Sequence, residues 1–395
     1  VALADWIDEA KAQQEALFKK VVDHCNDLQK KGLVTRVHRD ANEGHWVQNF
    51  PFDGHVFLLG RRRALMQESL NEGELVEDLK PKWQPVFEAA DKLIHKLEEP
   101  DPYVACIVAD GDRMGSTLDA LRTPESHRVF SQKLATFAVA AREVVEHQCR
   151  GMLVYAGGDD VLAFINVADA LDCASKLRDA FENSMKSALP DATDEERPTL
   201  SVGVGIGHCM ESMGNLLELG RQAEKLAKGS KLRAQKQQRN ALAIILDKRS
   251  GGRTEWRAQW KSDPTQRLKE DVALLGSDKL STKKIYEVRA SLQRMPDPQG
   301  VNGEHAARMA NLLRRETARI LSRSGVGGPE DDDDAAADPL RPTKRLTPNE
   351  VGLVMPSGPD YKAVYTSIEE WTARLLIAKA LKRRNLSAET ALQGA

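Results

Sequence analysis

Two apolar runs, MLVYA and VLAFI, are separated only by Gly157-Gly158-Asp159-Asp160. Runs this short, joined by turn residues, fit a β-hairpin and nothing longer. The hairpin must therefore carry two adjacent carboxylates at its tip. Upstream, DPYVACIVADGD reads as a buried strand that ends in Asp110 and Asp112. Between them, Thr117 to Gln148 has helical spacing, with Phe130, Leu134, Phe137, Ala141, Val144 and Val145 on one face. A strand, a helix and a hairpin in that order place the end of the first strand beside the hairpin tip. Carboxylates from two distant pieces of chain then meet at one sheet edge.

The pattern continues after the hairpin. Residues 167–188 read as a helix, TLSVGVGIG as a strand, 215–229 as a helix and ALAIIL as a last strand. The order is βαββαβαβ. Strands this apolar need helices over them, so an α/β sandwich follows. The glycines of TLSVGVGIG let something approach the strand closely. Residues 1–100 are mostly helical in pattern: 3–31 and 83–98 have helical spacing, and an irregular stretch, GLVTRVHRDANEGHWVQNFPFDG, lies between them. Residues 261–395 return to helix over 263–276, 281–294, 303–323 and 367–384. The segment near 325–348 is polar, rich in Pro and Gly, and holds a four-Asp run. It is expected to be a disordered, solvated loop rather than a metal site.

Composition narrows the classes. Of 395 residues, 57 are Lys or Arg and 59 Asp or Glu, giving a formal charge of −2. That excludes a globally basic nucleic-acid binder but not a local basic patch. Aromatic residues are only 5%, which suits helices packed through Leu, Ala and Val. No apolar run approaches the roughly 18 residues that would span a bilayer. The opening VALADWIDEAKAQQ is neither a signal nor a basic transit peptide. Because it starts with Val, the chain is expected to be part of something longer. The five cysteines (Cys25, Cys106, Cys149, Cys173, Cys209) form no CxxC pair, so zinc is not expected. They read as reduced thiols of a cytoplasmic protein.

Clustered carboxylates repel one another unless a cation neutralises them. Their hard oxygens suit Mg²⁺ or Mn²⁺. Two such ions can clamp a triphosphate, activate an attacking hydroxyl and stabilise departing pyrophosphate. Gly157 and Gly158, without side chains, leave room for a nucleotide against the turn. The plainer reading is an acidic β-turn, for which Gly-Gly-Asp-Asp is good chemistry in itself. The upstream ADGD strand favours the first reading. Between Arg221 and Arg253, ten Lys or Arg stand against two acids, Glu224 and Asp247. Lys228, at the end of its helix, can reach a triphosphate opposite the metals; the alternative is a solvated or RNA-facing helix. Ser201 can hydrogen-bond a base or ribose, or simply start a strand. His208 and Cys209 lack further ligands for a metal, and His127 and His147 read as surface or boundary residues.

The motifs DPYVACIVADGDRMG, SHRVFSQKLATFA, VYAGGDDVLAF, PTLSVGVGIGH, RQAEKLAK and RNALAIIL, in this order, resemble the large subunit of type III CRISPR effector complexes, and within it the Cmr (type III-B) branch. The resemblance is dense over 100–256, thin over 1–99, and beyond 261 amounts to a helical C-terminal domain in the expected place. It implies an α+β, ferredoxin-like palm domain similar to nucleotide cyclases and polymerases at 101–260, flanked by the helical regions 1–100 and 261–395. It implies synthesis of cyclic oligoadenylates from ATP when the complex binds target RNA. Carried over by motif, Asp110, Asp159 and Asp160, with the Gly111 carbonyl, would hold two Mg²⁺ or Mn²⁺ ions. Lys228 would hold the triphosphate, and Gly157 and Gly158 would line the nucleotide. The implied partners are the other Cmr subunits, CRISPR guide RNA and target RNA, with no membrane. The family's HD nuclease, first palm-like domain and zinc-binding cysteines have no recognisable counterpart, so nuclease activity is not expected. Two alternatives stay open: a catalytically silent scaffold of the same complex, and a diguanylate-type cyclase.

Overall fold

The computed structural model describes residues 1–36, 46–229, 237–249, 252–277, 279–323 and 346–382. The acidic run at 331–334, and the expected loop around it up to residue 345, lie outside the described residues. The chain divides into two compact units, Val1–Arg253 and Thr254–Arg384.

In the first unit, helices α1 (Ala4–Gln13), α2 (Glu15–Lys30), α3 (Arg62–Glu68) and α4 (Val76–Leu97) precede the sheet. They bury Phe18, Phe57, Leu79, Trp83 and Leu93 together in one apolar cluster. Arg150 ties α1 to the rest, pairing with Asp5 at 2.9 Å, Asp8 at 3.1 Å and the buried Asp169 at 2.7 Å. The sheet follows: β1 (Tyr103–Asp112), α5 (Met114–Ala120), α6 (Pro124–Arg142), β2 (Met152–Gly157), β3 (Asp160–Asn166), α7 (Ala170–Ala188), β4 (Thr199–His208), α8 (Met213–Lys228) and β5 (Ala241–Lys248), and a last strand, β6 (Gly252–Gln259), runs on past Arg253 into the second unit. Its strand order is β2-β3-β1-β4-β5-β6. β1 is antiparallel to both β3 and β4, and β5 is parallel to β4. The first four strands have the order and directions of a ferredoxin-like βαββαβ unit, which bears out the α+β palm expectation.

The single helix expected from Thr117 to Gln148 is instead three pieces. Pro124 cannot extend a preceding helix but suits a first turn. Thr123 caps α6 there, its Oγ1 accepting from the Ser126 N–H at 3.1 Å. α6 then passes into a π-turn at Glu143–Gln148. ALAIIL is not the last strand: β6 follows it, with Thr254 and Trp256 buried at alternate positions.

Helix α8 lies against β4 because β4 offers no side chains there. In the ladder, Gly203, Gly205 and Gly207 stand opposite Val108, Cys106 and Val104 of β1, so all share one face. A Cβ at Gly203 would collide with the backbone of Ala223 and Glu224, and one at Gly205 would lie 2.6 Å from the Gly220 nitrogen. What the glycines admit is therefore a helix.

The second unit holds α9 (Pro264–Gly276), α10 (Thr282–Gln293), α11 (Gly303–Ser322) and α12 (Tyr361–Leu381) around Ile285, Leu313, Trp371 and Leu375. The last helix starts at Tyr361, six residues before the expected Thr366/Ser367 boundary, because the Asp360 side chain caps it through the Ala363 N–H at 3.1 Å. Buried Arg374 pairs with buried Asp271. No helix among the described residues is long and apolar enough to cross a membrane.

Replacing Gly203 with Ala should lower stability by about 1–3 kcal/mol, since helix and strand backbones must part to admit the methyl group. Thermal unfolding beside a Gly300→Ala control, whose Cβ meets nothing within 4 Å, checks this.

Candidate active site

The site forms where β1 ends. The β1–β3 ladder pairs Ala109 with Val161, so the next step sets Asp110 beside Asp160. The hairpin turns through Gly158, whose φ of +63° a side chain would resist, and Asp159 follows it. Asp159 comes back over Gly111: its carboxylate accepts the Gly111 backbone N–H, and a Cβ at Gly111 would lie 2.6 Å from Asp159 Oδ2. Glycine at 111 is what lets the hairpin acid reach the strand.

Charge crowding is visible in the acidities. Burial, then the charges of Asp110 and Asp159, push Asp160 up to about 6, and Asp160 shares a hydrogen bond with Asp110. Burial and Asp110 also raise Asp159. Lys228 answers the crowding from the end of α8, its Nζ 2.5 Å from Asp110 and 3.0 Å from Glu224. These acids keep the ammonium charged against the burial that opposes it, and its pKa is raised. The sequence reading noted Glu224 only as one of two acids in the basic stretch and missed its pairing with Lys228, although its place four residues before Lys228 on a helix is the signal for such a pair.

Asp110, Asp159, Asp160 and Lys228 thus come together, with Gly111, Gly157 and Gly158 as backbone around them. The donor set is all hard oxygen and suits Mg²⁺ or Mn²⁺. It is not preset as a cage: among the described residues no three His, Cys, Asp or Glu side chains stand together as a metal site, and Lys228 engages Asp110.

Ser201 requires a correction. It lies within β4, fully buried, and its Oγ donates to Asp112 at 2.9 Å. It is closed to a base or ribose. Asp112, also buried, accepts further from Thr199 Oγ1 at 2.8 Å and from the Asn240 backbone N–H at 2.9 Å. It therefore fastens the ends of β1 and β4 to the start of β5 and is already spent as a ligand. His208 Nδ1 accepts the Met210 N–H at 3.1 Å. Lys231, Arg233 and Lys236 of the basic stretch lie outside the described residues.

A four-stranded βαββαβ core with acids at the end of its first strand and on its hairpin defines a palm domain. Residues 103–243 match the sequence model of the family described as Cas10/Cmr2, second palm domain. Over those residues the chain is similar to the second palm domain of Cas10/Cmr2. It is 28% identical to the CRISPR system Cmr subunit Cmr2 of Pyrococcus furiosus, over 55% of this chain and 28% of that protein. Among solved structures it resembles a type III-B Cmr-beta complex in the apo state (12% identity, 97% of this chain, 47% of that one, TM-score 0.47). It also resembles Csm1 of T. onnurineus (16%, 71%, 38%, TM-score 0.44). The chain thus spans about a quarter of the Cmr2 relative and less than half of either structure.

Asp160 gives a pH prediction. Its folded pKa, about 6, exceeds the unfolded value of about 3.9, so the folded state binds this proton more tightly. Its contribution is therefore most favourable at low pH and falls as pH rises through 4 to 6. Asp160→Asn should raise the metal-free melting temperature at pH 7.5, by less than about 1 kcal/mol in stability because solvent screens a side chain only partly withdrawn from water. The gain should vanish near pH 4, as melting curves at the two pH values will show.

Proposed function

We propose that this palm is the nucleotidyltransferase centre of a type III-B CRISPR effector, making cyclic oligoadenylates from ATP when the complex binds target RNA. The observation that supports it is the meeting of Asp110, Asp159 and Asp160 at one sheet edge, with Lys228 as their cation. Adenine, the ring product, the guide RNA and the other Cmr subunits as partners come from the family.

The reaction joins a 3′-hydroxyl oxygen to an α-phosphorus, releases pyrophosphate and frees the hydroxyl proton. Two divalent ions held by Asp110, Asp159 and Asp160, with the Gly111 carbonyl, would supply neutralisation of the phosphates and activation of the hydroxyl. The chain's own part is placement. The Gly111 N–H fixes Asp159, and the ladder fixes Asp110 against Asp160. Lys228, held between Asp110 and Glu224, is poised to exchange Asp110 for a triphosphate oxygen while Glu224 keeps its amine in place. Gly157 and Gly158 leave the tip open to the nucleotide.

The second reading is a catalytically silent scaffold. The Lys228–Asp110 pair favours it, since a carboxylate engaged by lysine is not free for a metal.

The test is mass spectrometry of products from the complex with guide RNA, complementary target RNA, ATP and Mn²⁺. The wild type should yield cyclic oligoadenylates, and Asp159→Ala/Asp160→Ala should lower the yield at least a thousandfold while assembling normally. An intact, target-bound wild-type complex that makes no product would leave the scaffold reading.

A further inference from the structure

We infer that Tyr155 is a positioning residue for the nucleotide, its ring the platform on which the base stacks. The inference rests on the nucleotide reading above and adds a residue to it.

The edge strand β2 carries an irregularity. In the β2–β3 ladder, Leu153 stands opposite Ala163, but Tyr155 stands opposite Leu162, so Val154 is an extra residue. In a regular strand the side chains alternate, and Tyr155 would share the face of Leu153. The bulge reverses that and turns Tyr155 onto the face of Leu162. Leu162 in turn stands opposite Val108 of β1, and two residues on from each are Asp160 and Asp110. Tyr155 therefore shares one face with the carboxylates.

Its side chain runs along that face toward the hairpin tip. The phenol lies where a Cβ at Gly157 would be, so the first glycine of the turn makes room for the tyrosine. Tyr155 stays 54% exposed, among the more exposed large apolar residues of those described. Beside it, Val108 and Leu162 are partly buried apolar side chains against the cluster of Val104, Cys106, Phe164 and Leu216. An apolar strip thus lies one step behind the carboxylates. A nucleotide with its phosphates at Asp110, Asp160 and Lys228 has its base over Val108, Leu162 and the Tyr155 ring. Stacking tolerates any base, so Tyr155 contributes grip and alignment rather than choice of adenine.

Steady-state kinetics of the assembled, target-bound complex tests this with Tyr155→Ala, Tyr155→Phe and Tyr155→Leu. Loss of a stacked base should raise KM for ATP about tenfold or more in Tyr155→Ala, with kcat changed less than about threefold. Phe should restore the wild-type KM and Leu should not. Should Tyr155→Ala fail to assemble, the contrast between Phe and Leu carries the test alone. Wild-type KM in Ala or Leu overturns the inference and leaves the nucleotide reading standing. Phe as impaired as Ala also overturns it, since the hydroxyl is then what matters. A wild-type complex without activity overturns both.

Discussion

The register of β1 against β3 is the constraint from which the site follows. It sets Asp110 beside Asp160, and the turn through Gly158 brings Asp159 over Gly111. The charges of these carboxylates thereby act on one another. The fold does not relieve the strain by separating them. It raises the pKa values of Asp159 and Asp160, sets a hydrogen bond between Asp110 and Asp160, and brings Lys228 against Asp110. Among the described residues, Lys228 is the ammonium set against these carboxylates and Glu224. An all-oxygen edge of this kind suits the divalent ions of the proposed function.

The lysine arrives by way of packing. A helix can lie on β4 only because Gly203, Gly205 and Gly207 clear its face, and α8 carries Lys228 and Glu224 at its last turn. Asp112 performs the complementary task at the same end of the sheet. By accepting from Thr199, Ser201 and Asn240 it closes the ends of β1, β4 and β5 together. Lys228 and Glu224 therefore depend on contacts that are structural in themselves. The bulge in β2 belongs with them, since it brings an aromatic ring to the same face.

Much of this was legible in the sequence, for definite reasons. The hairpin tip and the two strands flanking it are short, apolar and bounded by turn residues, so their form and order could be read. The acids Asp110, Asp159 and Asp160 follow from that order. Other features depend on three dimensions. Ser201 looked available because its neighbours are glycines, but those glycines face a helix and Ser201 serves Asp112. β6 was missed because its outward positions are charged and only Thr254 and Trp256 mark its buried side. Tyr155 has no sequence signal at all: alternation puts it on the wrong face, and only the ladder shows the extra residue.

The central claim is that the carboxylate edge holds divalent ions together with a nucleotide. Electron paramagnetic resonance of Mn²⁺ titrated into the full chain with ATP measures this without requiring turnover. Mn²⁺ should bind, more tightly when ATP is present, and that binding should be lost in Asp159→Asn/Asp160→Asn. Equal Mn²⁺ binding by the wild type and the double variant, with ATP present, would contradict it.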